Sequence, residues 1–286
     1  MGLPMAQRLR DRGFAVAVHD VDPARLALAA ADGLAVAASP AALAETSDVV
    51  SIVVVDAKQL DAVFDGPDGL LAALRPHHAV LLHSTISPGD AERLASAVLA
   101  RGARVLDAPI SGGPQRARDG SMSVMVAGDS ATRDALAPVL EALAARRFVI
   151  SDRPGDAARA KLVNNLAAGI ALAASAEAVA LAMRVGLDPR AIHALMQASS
   201  GQSWIGGDRI PRALDGDLAP RAQSHVLAKD LRLAAAMARD AGADLVLGPA
   251  AQAVFEGTVE AGWRHDDDAA VLLWFARRFG AGHMPG

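Results

Sequence analysis

Lys161 and Asn165 stand four residues apart in the stretch Gly155-Asp-Ala-Ala-Arg-Ala-Lys-Leu-Val-Asn-Asn165. A glycine opens this stretch, and the alanine-rich apolar pattern that follows predicts a long helix. Residues four apart share a helix face, so the ammonium and the amide would lie one above the other. Leu162, Val163 and Leu166 beside them imply a face only partly wetted. Partial burial draws a lysine pKa toward neutrality, which lets the amine take or give a proton near neutral pH. The chemistry on offer is general acid–base catalysis. Taken alone, the pair reads more readily as a surface lysine and a helix-side asparagine, so the rest of the chain decides.

Other residues point the same way. Asp107-Ala-Pro-Ile-Ser-Gly-Gly113 places a hydroxyl before two glycines, so that Ser111 and the backbone N–H groups of Gly112 and Gly113 can approach a carboxylate without side-chain interference. Asp20 closes the first visible strand; an acid there holds the adenosine ribose hydroxyls of a dinucleotide and repels the extra phosphate of NADP, so NAD is the expected cofactor. Ser84-Thr85 and Lys229-Asp230-Leu231 are weak signals in isolation, a helix cap and a solvated ion pair. His265-Asp-Asp-Asp268 reads as acids at a helix start rather than a metal cluster. The eight histidines are scattered, with no pair at ligand spacing beyond His77-His78, so no metal is expected.

These residues need elements to hold them. Short apolar runs at 14–20, 34–37, 48–55, 78–83, 104–107, 123–127 and 147–150 predict strands, with Asp22-Pro23 and Ser87-Pro88 starting helices between them. Strands alternating with helices imply right-handed crossovers, hence an α/β, Rossmann-type, doubly wound sheet over residues 1–153. From 154 to 286 the pattern is all-helical, at about 155–184, 188–198, 221–241, 248–262 and 268–279, with glycines marking breaks and residues 280–286 a loose tail. Aromatic residues are 3% of the chain and the net charge is −4, which argues against a nucleic-acid partner. There is no cysteine to make disulfides or thiolate sites. Ser175 and Glu177 interrupt the most membrane-like run, and no secretory signal is visible, so a cytoplasmic protein is expected.

The sequence resembles the β-hydroxyacid dehydrogenases, the 3-hydroxyisobutyrate dehydrogenase family related to 6-phosphogluconate dehydrogenase. The opening Met-Gly-Leu-Pro-Met-Ala is similar to the second half of that family's Gly-Leu-Gly-x-Met-Gly-x-Pro-Met-Ala fingerprint, with Gly2 as its last glycine. By this resemblance Thr85 lies beside the nicotinamide ribose, Ser111, Gly112 and Gly113 bind substrate, Lys161 is catalytic, Asn165 orients substrate and Lys229 reaches the cofactor. One departure is Ala157, where the family has a second glycine. The resemblance also implies that the first strand and most of the phosphate turn are missing, about ten residues, through a start codon read too late or a shortened chain. The chain as given is then expected to bind NAD more weakly, and to melt lower, than one extended upstream; equal affinity and melting temperature in the two would contradict this.

The implied reaction is oxidation of a small β-hydroxy acid by hydride transfer to NAD, with Lys161 shuttling the hydroxyl proton. Ala222 stands where the 3-hydroxyisobutyrate branch commonly has phenylalanine. Together with Ser199 to Trp204, Val53-Val-Val-Asp-Ala57, the acids before Ala269 and the polar His225, it resembles the L-threonate branch, with Trp204 lining the pocket. The alternatives are a non-catalytic or impaired dinucleotide-binding protein, and an imine reductase-like relative, which usually lacks the lysine. A decarboxylating 6-phosphogluconate dehydrogenase would need a larger helical half. The apolar helices imply a homodimer or homotetramer.

Overall fold

The structure, a computed structural model, describes residues 1–281; residues 282–286, most of the expected tail, lie outside the described residues. The chain divides into two compact units, the first ending at Lys161 and the second beginning at Leu162.

In the first unit the order is α1 (Gly2–Asp11), β1 (Ala17–Val18), α2 (Pro23–Ala31), β2 (Ala35–Val36), α3 (Pro40–Glu45), β3 (Val49–Ile52), α4 (Ala57–Phe64), α5 (Leu70–Ala73) and β4 (Ala79–Leu82). It continues through α6 (Pro88–Leu99), β5 (Arg104–Asp107), β6 (Ile110–Ser111), α7 (Gly113–Asp119), β7 (Met122–Ala127), α8 (Ser130–Ala135), α9 (Ala137–Leu143) and β8 (Ala144–Ser151). The caps read from sequence form: the Asp22 carboxylate accepts from the Ala24 N–H and Ser87 Oγ from the Asp90 N–H, each before a proline at the first helical turn.

The strands β3, β4 and β5 pair in parallel; β7 runs antiparallel to β5 and β6, and β8 lies parallel to β7. Every residue of β4 is buried, as its unbroken apolar run predicts. Val80 and Leu82 pack with Leu60, Phe64 and Leu94 on one face, while Ala79 and Leu81 pack with Met5, Leu140 and Leu143 on the other. Helices thus cover both faces, the doubly wound arrangement. Each fully buried Leu or Phe in these layers contributes about 1.5–3 kcal/mol.

Three strands depart from a single continuous buried sheet. Among the described residues β1 and β2 pair only with each other and form a separate parallel ladder. β3, expected to be buried on both faces, alternates between buried and half-buried because β4 is its only neighbour among the described residues.

The helix α10 (Asp156–Arg184) continues into the second unit and is followed by α11 (Pro189–Gln197), α12 (Trp204–Leu214), α13 (Ser224–Asp240), α14 (Leu247–Thr258) and α15 (Val271–Arg278). By length and composition α10 could cross a membrane. Its Leu172, Ala176, Val179 and Ala180 are instead buried with Ile210, Phe255, Leu272 and Phe275 in the core of this unit. The helix α12 runs through Gly206 and Gly207, which the sequence reading took as a break. Ser203 caps it, and a Cβ on Gly206 would stand 2.5 Å from Ser175 Oγ, so glycine is what lets α12 approach α10. The stretch expected to be helical to 262 changes at 259 to a single π turn with Gly262 at φ +108°. Residues 221 and 222 stay outside α13 because their N–H groups donate to the buried Asp267 carboxylate at 2.8 and 3.1 Å.

Candidate active site

The apolar strand β5 ends on an acid. Asp107 is 1% exposed, and its Oδ2 accepts from the Gly155 N–H at 2.8 Å and the Ala158 N–H at 2.9 Å, at the start of α10. Burial pushes its pKa up to about 6, against the opposing pull of those N–H groups. Gly155 sits at φ +95°, and a Cβ there would come within 2.7 Å of Glu92 Cγ, so the approach needs glycine. Beside Asp107, the ring Nδ1 of His83 lies 2.6 Å from the Ala108 carbonyl oxygen. Burial drops the pKa of this histidine to about 4, so it is neutral and donates from Nδ1.

Beyond Pro109 the chain forms β6, where Ser111 pairs with Ser123 of β7. Ser111, Gly112 and Gly113 are all half-buried. Gly112 and Gly113 have φ of +142° and +77°, which L side chains rarely adopt. A Cβ on Gly112 would lie 3.0 Å from both Arg116 and Met122 side-chain atoms, whereas one on Gly113 meets nothing within 4 Å. The two glycines therefore carry the backbone past α7 and β7 in a bend that no other residue pair fits as well.

Lys161 follows Ala158 by less than one turn and is 7% exposed, buried more deeply than its neighbours in sequence implied. Ala157, the departure from the family pattern, is fully buried and packs its methyl group against Met125 and Ala127. Asp156 accepts from Ser151 Oγ at 2.7 Å and pairs with Arg159 at 2.9 Å, holding the first turn from the solvent side.

In the second unit, the half-buried Asn165 donates from Nδ2 to Asp230 Oδ2 at 2.6 Å. Lys229 Nζ lies 2.8 Å from Asp230 Oδ1. One buried carboxylate thus holds the amide by a charge-assisted hydrogen bond, about twice as strong as a neutral one, and pairs with an ammonium. His225, one turn before Lys229, packs edge-on against His265 with ring centroids 5.5 Å apart, and burial lowers its pKa. Trp204 begins α12 and is 53% exposed. Asp267 and Asp268 are engaged by Arg212 at 3.1 Å and Arg209 at 2.5 Å, with Asp267 also capping the short helix after it.

Elsewhere in the first unit, α1 begins at Gly2 with no side chain capping its N-terminus, so its first N–H groups and the positive end of its dipole suit an anion such as a phosphate. A Cβ on Gly2 would meet only Val53 Cβ, at 3.8 Å. Asp20 follows β1, half-buried, and accepts from the Asp22 N–H at 2.9 Å. Ser84 Oγ accepts from the Val54 N–H at 3.0 Å, tying the loop after β4 to the end of β3, with the half-buried Thr85 next to it. A helix end for a phosphate and an acid for ribose hydroxyls are the parts a nicotinamide dinucleotide needs.

The sequence reading singled out neither Asp107 nor Asp230 for a role, although each lies inside a motif it quoted. The available signal was an acid closing an apolar strand, and an acid adjoining a lysine on a buried helix face.

Comparison with known proteins follows the same division. The NAD binding domain of 6-phosphogluconate dehydrogenase matches residues 1–151, and the NAD-binding domain of NADP-dependent 3-hydroxyisobutyrate dehydrogenase matches residues 155–275. An L-threonate dehydrogenase from Cupriavidus necator is 37% identical over 275 residues, covering 96% of this chain and 93% of the relative. A 3-hydroxyisobutyrate dehydrogenase from Pseudomonas aeruginosa is 33% identical over 273 residues, covering 93% and 91%. The crystal structure of a 3-hydroxyisobutyrate dehydrogenase from Salmonella typhimurium has a TM-score of 0.88 to this chain at 36% identity, covering 95% of each.

Proposed function

The chain belongs to the β-hydroxyacid dehydrogenase family, and from that premise we propose that it oxidises the hydroxyl of a small hydroxy acid of the L-threonate type, with NAD as hydride acceptor and Lys161 as general base. The observation that carries the reading is the burial of Lys161, 7% exposed as a residue, just after the point where Asp107 fastens α10 to the strand leading into Ser111.

The acid's carboxylate is bound by the Ser111 hydroxyl and the N–H groups of Gly112 and Gly113. Lys161 Nζ takes the hydroxyl proton as the carbonyl forms, and in reverse the ammonium returns it. Asn165, oriented by Asp230, fixes the substrate beside the amine. The bound dinucleotide supplies the acceptor for the hydride leaving the carbinol carbon. Asp20 favours NAD over NADP, since a carboxylate repels a 2′-phosphate.

The L-threonate assignment is supported by the relative from Cupriavidus necator and by Ala222 and His225 near Lys229, which leave room and polarity for a polyhydroxylated chain. Exposed Val163, Leu181, Val185, Leu187 and Leu195 support assembly into a homo-oligomer through the helical unit.

NADH formation measured with L-threonate, 3-hydroxyisobutyrate and further β-hydroxy acids tests the reading. L-threonate should show the highest kcat/KM, by about tenfold or more, and NADP should replace NAD poorly. Binding of NAD without turnover of any acid in the panel would overturn it.

A further inference from the structure

Five helices of the first unit start on a cap that is local in sequence: Asp22, Ser39, Asp56, Ser87 and Asp129 each accept from an N–H two or three residues on. The helix α10 does not. Its first N–H groups, from Gly155 and Ala158, converge on one oxygen of Asp107, 48 and 51 residues earlier. A serine or aspartate just before the helix could accept from the Ala158 N–H without burying a charge. The remote carboxylate does something a local cap cannot, which is to fix the helix start to the end of β5.

Both arms leaving this junction are short. Ala158 is three residues from Lys161, a rise of about 4.5 Å along the helix, and Asp107 is four residues from Ser111. The neighbouring Ala108 is itself held by the neutral His83 ring, so the β5 side of the junction has little freedom. A shift at the junction would pass to the amine almost undiminished.

We propose that Asp107 is a positioning residue for the proton transfer, its carboxylate joining the start of α10 to β5 so that the Lys161 amine is registered against the Ser111–Gly113 loop. This rests on the reading of Lys161 as the proton-transfer group. Asp107 touches neither reactant; it acts through the two backbone N–H groups. Because both bonds go to a single oxygen, the amide oxygen of asparagine can accept both, while alanine can accept neither.

The test compares Asp107→Ala with Asp107→Asn in the full chain, together with backbone amide exchange at Gly155 and Ala158 in the free protein. Alanine should lower kcat by about 10²-fold, the cost of a misplacement near 1 Å. The KM for the acid and the affinity for NAD should stay within about threefold. Asparagine should restore kcat to within about tenfold of wild type, and the two amides should exchange faster in the alanine variant alone. Wild-type kcat or unchanged exchange in Asp107→Ala would overturn the proposal. So would an asparagine variant that is folded yet no more active than the alanine variant. Wild-type turnover in Lys161→Ala would instead overturn the lysine reading beneath it, and the exchange data separate that failure from failure of the anchor.

Discussion

Lys161→Ala should lower turnover by at least about 10²-fold, and up to about 10⁴-fold, the range a positioned acid–base group contributes. The affinity for NAD should be nearly unchanged, because the parts suited to the dinucleotide, the α1 N-terminus, Asp20 and the Ser84-Thr85 loop, lie on other elements. The loss should appear in kcat and kcat/KM together, since the amine acts only as the proton moves. Lys161→Arg should not restore activity: a guanidinium holds its proton too tightly to serve as a base at neutral pH. Steady-state rates with L-threonate and a fluorescence titration of NAD measure the two quantities. Near-normal turnover in Lys161→Ala would remove the mechanism.

The second large effect is expected at Gly112. A side chain there has to adopt φ +142° and stand 3.0 Å from the Arg116 and Met122 side chains. Backbone strain of this kind costs about 1–3 kcal/mol, and a kcal/mol moves the melting temperature of a domain this size by about 2–4 °C. Gly112→Ala should therefore lower the melting temperature by several degrees. It should also raise the KM for the acid by about tenfold or more, because the N–H groups offered to the carboxylate are displaced. Gly113→Ala provides the contrast, since it has a strained φ but open space around the added methyl group. Its effect on both readouts should be smaller. Thermal unfolding and acid saturation curves for the two variants check this, and an unchanged KM in Gly112→Ala would show that the loop does not bind the acid through its backbone.

Much of the first unit was legible because its signals are local. Proline after Asp22 and Ser87 marks helix starts, and the apolar run of β4 reads as a strand covered on both faces, which it is. β3 was misjudged because burial depends on neighbours, and a β-branched run reads the same in a central strand as beside an open edge. Gly206 and Gly207 read as a break because glycine is a poor helix former. What keeps them helical is the close approach to Ser175, a contact across 31 residues that no local pattern carries.

The site divides in the same way. Lys161, Asn165 and the Ser111–Gly113 loop stand out in the sequence as candidates through residue type, spacing and the family resemblance. The carboxylates that hold them do not. Asp107 meets Gly155 and Ala158 across 48 and 51 residues, and Asp230 meets Asn165 across 65. In sequence each is an ordinary acid. Their burial, not their position in a motif, marks them as anchors, because a buried carboxylate is kept only where hydrogen bonds offset its lost hydration.

The most direct measurement is a crystal structure of the chain with NAD and L-threonate bound, read for the separation between Lys161 Nζ and the oxygen being oxidised. The account predicts hydrogen-bond contact, about 2.6–3.2 Å or through one water, with the acid's carboxylate on Ser111, Gly112 and Gly113. An amine turned away from that oxygen, with the carboxylate bound elsewhere, would contradict it.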